Sequence, residues 1–248
     1  MKTEQIQKKN AGRKSFSTAV ILIAVVLALF FFYTEHYYHA DRTAKMALRS
    51  DDHAAVTSSQ TGILFDGPGT EALLIFYPGG KIEEKAYAPL LRQLAENGMD
   101  VFLVRMPFRL AVFGANKANE VLEETADYEK ICLGGHSLGG AMAANYAAEH
   151  AEELDGLVLL AAYATKPLPD DLAVLSVYGS EDGVLNRENY EKDRANLPDD
   201  AQELVIEGGN HAQFGSYGQQ EGDGEAAILP EMQWDRTAEA ILEFFELK

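Results

Sequence analysis

The chain opens on two contrasting stretches. A run without a charge extends over residues 15–33, with AVILIAVVLALFFFY at its centre, and a polar segment of alternating charge follows over 34–53. From residue 54 the pattern changes to short continuous apolar runs: ALLIFY (72–77), VFLV (101–104), KICLGG (130–135), LDGLVLLAA (154–162), AVLSVYG (173–179) and ELVIEGG (203–209). Runs that are apolar at every position, rather than at alternate ones, predict strands buried on both faces, as in a parallel sheet covered by helices. Helical patterns fall between them at 89–97, closed by Gly98, at 118–127, in an alanine-rich segment at 138–151, at 186–196 and at 231–247. Strands alternating with helices predict an open α/β fold, and VTSSQTGILF (56–65) adds an antiparallel hairpin at one edge. In such a sheet the reactive groups lie beyond the carboxyl ends of the strands.

Charge divides the chain in the same way. Lys2, Lys8, Lys9, Arg13 and Lys14 against Glu4 give residues 1–14 a balance of +4, and the formal net charge of −18 leaves −22 on residues 34–248. So acidic a domain repels nucleic acid. As a helix the uncharged residues 15–33 span about 28 Å, close to a hydrocarbon core of ~30 Å. This predicts a basic cytoplasmic tail (1–14), a transmembrane signal anchor (15–33), a juxtamembrane stalk or extra helix (34–53) and a catalytic domain outside the cell membrane (54–248). The alternatives are a signal peptide cleaved after Ala40 and a buried core helix; Phe30, Phe31, Phe32, Tyr33, Tyr37 and Tyr38 are bulkier than a cleavage site favours. The single cysteine, Cys132, excludes an internal disulfide and any multi-cysteine metal site.

The candidate chemistry starts at GGHSLGG (134–140), where Gly135, Ser137 and Gly139 form G-x-S-x-G between a predicted strand and a predicted helix. A serine in a strained turn at a helix amino terminus is a nucleophile elbow: the glycines remove side chains that would collide, and the Leu138 amide faces the developing oxyanion. Of the six histidines, His36, His39 and His53 lie in the stalk, His136 is expected to point away from Ser137, and His150 is a helix away. His211, in the loop after ELVIEGG, is the base candidate. The acid falls between them at the end of AVLSVYGSEDG, with Asp182 preferred over Glu181 because its shorter side chain before Gly183 can turn toward an imidazole. The second oxyanion amide is expected from Gly80, with Lys81 as runner-up, unless PGGK merely makes a turn. Phe108, Leu110 and Phe113 in MPFRLAVFGAN (106–116) either line an acyl site or simply pack. Phe214 or Tyr217 would form the opposite wall.

These residues resemble the α/β-hydrolase superfamily and, within it, small dienelactone-hydrolase-like bacterial hydrolases with an N-terminal membrane segment. The resemblance spans residues 54–248 and rests on FYPGGKIEEKAYAPLLRQLAENG, GGHSLGG, YGSEDGV and EGGNHAQFGSYGQQEGDG. It implies Ser137 as nucleophile, Asp182 as acid, His211 as base, and the amides of Leu138 and of Gly80 or Lys81 as oxyanion hole. Only about ten residues, 163–172, occupy the position where many relatives insert a lid, so an open site for small or flexible acyl groups is expected. The reading is a serine hydrolase of esters or thioesters that needs neither metal nor organic cofactor and takes a small-molecule acyl substrate. Acyl transfer to an envelope component and amide hydrolysis would use the same groups, and a non-catalytic binding domain is the alternative of another class.

Overall fold

The computed structural model describes residues 2–69, 71–123 and 128–247, with side chains from residue 19 onward. The chain divides into two units, Met1–Tyr37 and Tyr38–Lys248. The first consists of helix α1 (Lys2–Glu35), on which most large apolar side chains from Val20 to Tyr33 stand exposed. Among the described residues no helix is long and apolar enough to cross a membrane. The predicted span begins at residue 15, and the side chains of residues 15–18 lie outside the described residues.

The second unit begins at Tyr38, earlier than the expected boundary at residue 54. Tyr38 donates its amide to the Lys81 carbonyl at 2.8 Å and its carbonyl accepts from the Glu83 amide at 2.8 Å. Asp41 caps the short helix α2 (Arg42–Ala47) by accepting from the Ala44 amide at 3.0 Å, and accepts from Ser216 Oγ at 2.8 Å. Ala40 and Ala44 are buried in the core. The segment expected as a stalk is, from Tyr38 to Ala47, part of the folded unit.

Among the described residues eight strands form one sheet: β1 (Ala55–Ser58), β2 (Gly62–Asp66), β3 (Ala72–Tyr77), β4 (Met99–Val104), β5 (Lys130–His136), β6 (Gly156–Leu160), β7 (Ala173–Gly179) and β8 (Gln202–Ile206). Their order is β1-β2-β4-β3-β5-β6-β7-β8. The β1–β2 hairpin and the β2–β4 pair are antiparallel, and every other pair is parallel. The helices are α3 (Ala88–Glu96), α4 (Ala118–Leu122), α5 (Leu138–His150), α6 (Arg187–Asp193) and α7 (Pro230–Phe244). The helix expected over 118–127 is seen to Leu122, and residues 124–127 lie outside the described residues.

The continuous apolar runs are explained by the two cores. Ala72, Leu74 and Phe76 of β3 face the core that contains Leu90, Leu94 and Ile241 of α3 and α7. Leu73, Ile75 and Tyr77 face the other, with Ala143, Tyr146 and Ala147 of α5. Each side chain removed from water on either face contributes about 1.5–3 kcal/mol, so a polar residue at any position would forfeit that gain. The chain passes from β3 outward to β4 and then back across to β5, which makes the junction of β3 and β5 a topological switch point. There Tyr77 pairs with Gly135, so PGGK and the GGHSLGG turn leave the sheet side by side.

That junction tolerates no extra atoms. A Cβ on Gly139 would fall on the carbonyl oxygens of Tyr77 and Pro78, and one on Gly135 would come within 2.7 Å of the Gly139 and Gly140 backbone. In a helix Gly→Ala ordinarily gains about 1 kcal/mol. We expect Gly139→Ala to reverse that sign and to cost about 2 kcal/mol or more, read as a fall in Tm of roughly 4–8 °C in thermal unfolding.

Candidate active site

The turn between β5 and α5 places Ser137 at φ 53° and ψ −122°, a region that residues with side chains rarely adopt. The strain is held from both sides: the Ser137 amide donates to the Leu160 carbonyl at 2.9 Å, and the Ser137 carbonyl accepts from the Ala141 amide at 3.0 Å. Ser137 is half-buried and stands at the amino terminus of α5, where the Leu138 amide belongs to the first turn and lacks an intrahelical acceptor. The positive end of the helix therefore faces the ground beside the hydroxyl.

The loop after β3 supplies the neighbouring backbone. A Cβ on Gly80 would meet Leu138 Cδ2 at 2.9 Å, so the two residues lie against each other. Lys81, the runner-up for the second oxyanion amide, donates that amide to the Arg109 carbonyl at 2.9 Å. This leaves Gly80. Phe108 and Arg109, both at positive φ (54° and 58°), form the turn that offers this carbonyl. The rings of Phe108 and Phe113 meet edge to face at 5.7 Å and remain 44% and 53% exposed.

Asp182 and His211 come together from the loops after β7 and β8. His211 Nδ1 lies 2.9 Å from Asp182 Oδ2, with both side chains out of contact with solvent. Asp182 Oδ1 accepts from the amides of Val184 and Leu185 at 2.9 and 2.8 Å. Burial pushes the Asp182 carboxyl upward, but the hydrogen bond and charge of His211 together with these two amides outweigh it and hold the group below the ordinary carboxylate value. Glu181 is exposed and accepts from Ser180 Oγ at 3.0 Å. With Nδ1 bound to the carboxylate, His211 has Nε2 left for a proton, and that atom is buried and makes no hydrogen bond among the described residues.

His136 does not simply turn away. Its fully buried ring lies 4.4 Å from that of His211, centroid to centroid, and packs on Tyr87 and Phe214. The Gly79 amide donates to Tyr87 Oη at 2.9 Å, and Tyr87 Oη lies 2.8 Å from His136 Nδ1. The Tyr87 hydroxyl and His136 Nδ1 share one hydrogen bond. Burial above all, and then the charge of the neighbouring His211, hold His136 well below the ordinary histidine value, so it stays neutral. One buried chain therefore joins the loop after β3, the elbow and the histidine loop. His136 and Tyr87 were not legible as a pair, because only the fold brings them together.

Phe214 and Tyr217, expected as a wall of the substrate site, are core residues instead. Phe214 is fully buried against His136, and Tyr217 packs on Tyr38 with its hydroxyl donating to Gln220 Oε1 at 2.9 Å. Glycines and aromatics after His211 read equally as wall or core, and the docking of residues 38–47 decides for the core. Among the described residues no three His, Cys, Asp or Glu side chains cluster as metal ligands.

Comparison with solved structures finds the same fold at low identity. TT1662 from Thermus thermophilus superposes with a TM-score of 0.56 at 18% identity over 78% of this chain and 97% of that one. Carboxylesterase CesB (YbfK) from Bacillus subtilis gives 0.54 at 12% identity over 88% and 97%, and the dienelactone hydrolase from Anabaena variabilis gives 0.51 at 16% over 79% and 97%. A protein of Mycobacterium phage D29 named "Putative non-heme haloperoxidase" is 30% identical over 115 residues, 43% of this chain and 41% of its own length. The match thus spans less than half of that relative. Residues 73–235 fit the family model described as "Alpha/beta hydrolase family", a stretch that runs from β3 into α7 and includes Ser137, Asp182 and His211: the chain belongs to the alpha/beta hydrolase family.

Proposed function

We propose that this hydrolase cleaves carboxylic esters or thioesters through an acyl-enzyme on Ser137. The observation that carries the proposal is the buried His211–Asp182 pair at 2.9 Å, whose imidazole packs 4.4 Å from that of His136, the residue before a serine held in a strained turn at a helix terminus. In the first step His211 Nε2 takes the Ser137 proton as Oγ attacks the carbonyl carbon. The oxyanion is received by the amides of Leu138 and Gly80, and Asp182 stabilises the imidazolium that forms. His211 then gives the proton to the departing alcohol or thiol, and a water activated by the same nitrogen cleaves the acyl-enzyme. The edge-to-face pair of Phe108 and Phe113 offers the acyl group an apolar surface beside Gly80. No element intervenes between β6 and β7 among the described residues, which suits a lidless site like that of small dienelactone-hydrolase-like enzymes.

The same reading places the domain at a membrane. Residues 15–33 act as an uncleaved anchor, with the basic tail inside and the acidic domain outside, and it is the uncharged sequence and the exposed apolar side chains from Val20 onward that support this.

Fluorophosphonate treatment of the full chain should add one phosphonyl group, at Ser137. Ser137→Ala should remove both that label and the hydrolysis of short-chain aryl esters while the unfolding temperature holds. A label on another serine would sink the assignment.

Asp182→Asn should lower kcat by about 10⁴, the scale of the same change in serine proteases, because it favours the wrong imidazole tautomer. It also has a signature in stability. A carboxyl held below its unfolded value of 3.8 stabilises the fold fully above that value and loses the contribution as pH falls through its lower folded value. The difference in Tm between wild type and Asp182→Asn should therefore narrow as the pH is taken from about 5 to about 2; a constant difference would contradict the depressed carboxyl.

Fractionation tests the anchor. The full chain should sediment with membranes and resist extraction by high salt, and removal of residues 1–33 should release active enzyme. A full chain recovered in the soluble fraction would refute the anchor but leave the serine mechanism standing.

A further inference from the structure

The pair of Asp182 and His211 spans two loops, and the hydrogen bonds that continue the β7–β8 pairing stop just short of it. The Ser180 amide donates to the Ile206 carbonyl at 3.0 Å and the Glu181 amide to the Gly209 carbonyl at 2.8 Å. Gly208 N donates to Ser180 Oγ at 2.8 Å. Beyond these bonds the two backbones separate, each having yet to place one functional side chain.

A third segment closes the gap. Asp223 Oδ1 accepts from the Gly183 amide at 3.1 Å and from the His211 amide at 3.2 Å. Its Oδ2 accepts from the Ala212 amide at 2.8 Å, and Oδ1 also takes its neighbour's Gly224 amide at 2.9 Å. One carboxylate thus holds the residue after the acid together with the base and the residue after it. Hydrogen bonds to an ionised acceptor are roughly twice as strong as neutral ones. Asn210 fastens the same segment from the other side, its Nδ2 donating to the Gly224 carbonyl at 2.8 Å, while Gln233 Oε1 of α7 accepts from the Asn210 amide at 3.0 Å.

We infer that Asp223 is a positioning residue for the catalytic pair: its carboxylate fixes the spacing of the acid and base loops, and so the geometry of the Asp182–His211 hydrogen bond. This rests on the serine mechanism proposed above. Asp223 acts on backbone amides alone, so its loss reaches the chemistry through the pair, where a displacement of about 1 Å costs on the order of 10²-fold in rate.

The test is a double-mutant cycle in the full chain, read as kcat and KM on a short-chain aryl ester and as the rate of fluorophosphonate labelling by intact mass. Measurements are made below the unfolding temperature of each variant. Asp223→Ala should lower kcat and the labelling rate by about 10–100-fold, with KM changed by less than about threefold. In the Asp182→Asn background the same substitution should cost less than about threefold more, because the coupling it protects is already gone. Should Asp223→Ala fail to fold, Asp223→Asn preserves volume and one acceptor oxygen but turns an amide toward the Ala212 N–H. It should lose about 3–10-fold in kcat, again without further loss beside Asp182→Asn. A folded Asp223→Ala with unchanged kcat, or losses that multiply across the cycle, would overturn the inference while Asp182→Asn remained crippled. Full activity in Asp182→Asn would instead overturn the triad, and this inference with it.

Discussion

Everything at the site depends on how closely two backbones pass where β3 and β5 leave the sheet. Their parallel register sets Tyr77 against Gly135, and the next turn of chain on the β5 side must then pass directly over the Tyr77 and Pro78 carbonyls. Only a residue without a side chain fits there. The consequence is more than steric. Because the two loops touch, Gly80 and Leu138, which follow strands distant in sequence, are brought against each other. The chain reversal between β4 and β5 creates the crevice, and the glycines let its two sides approach closely.

The polar groups behind this crevice are dry, and each has been given a definite protonation. Tyr87 accepts from Gly79 and shares a hydrogen bond with His136, whose burial excludes a charge. A charge on His136, 4.4 Å from His211, would oppose the protonation of His211 in the proposed mechanism, so the neutrality of His136 suits it. Asp182 shows the opposite balance. Two loop amides and the imidazole overcome its burial, and the carboxylate remains charged where an isolated one would not. Both groups are held below their ordinary values, His136 by burial and Asp182 by hydrogen-bond partners that outweigh burial.

Much of the fold was legible because its cause is local. ALLIFY and GLVLL are apolar at each position because each faces a core on both sides, and the turn at Ser137 declares itself through the glycines it cannot do without. Asp182 and His211 were legible from their places at strand ends. What could not be read depends on partners remote in sequence. His136 looked like an idle neighbour of Ser137, since Tyr87, which shares a hydrogen bond with it, lies 49 residues away. Gly80 was preferred over Lys81, but that the Arg109 carbonyl takes the Lys81 amide could not be read. Residues 38–47 carried too little apolar surface to suggest docking, because they attach through a backbone bridge, a cap and two small alanines rather than through a hydrophobic stripe. Their docking in turn buries Tyr217, which the sequence had equally allowed as a substrate wall.

Strain is distributed along the same edge. Among the described residues, five of the six non-glycine positions with positive φ are Lys81, Phe108, Arg109, Ser137 and Ala161. They follow β3, β4, β5 and β6, so they crowd the carboxyl edge of the parallel strands; the sixth, Glu246, follows α7. Each costs about 1–3 kcal/mol, a sum comparable with the whole stability of an ordinary domain. Such a concentration persists only where packing elsewhere over-determines the backbone, and the strands beneath are buried on both faces. The strained residues are also joined to one another: the Arg109 carbonyl takes the Lys81 amide, and Ser137 and Ala161 hang on the carbonyls of Leu160 and Val177 of the adjacent strands. Relaxing one turn would release the carbonyl or amide that holds its neighbour, so the edge keeps its strained form as a unit, and Ser137 is kept in a geometry that its own backbone preference would abandon.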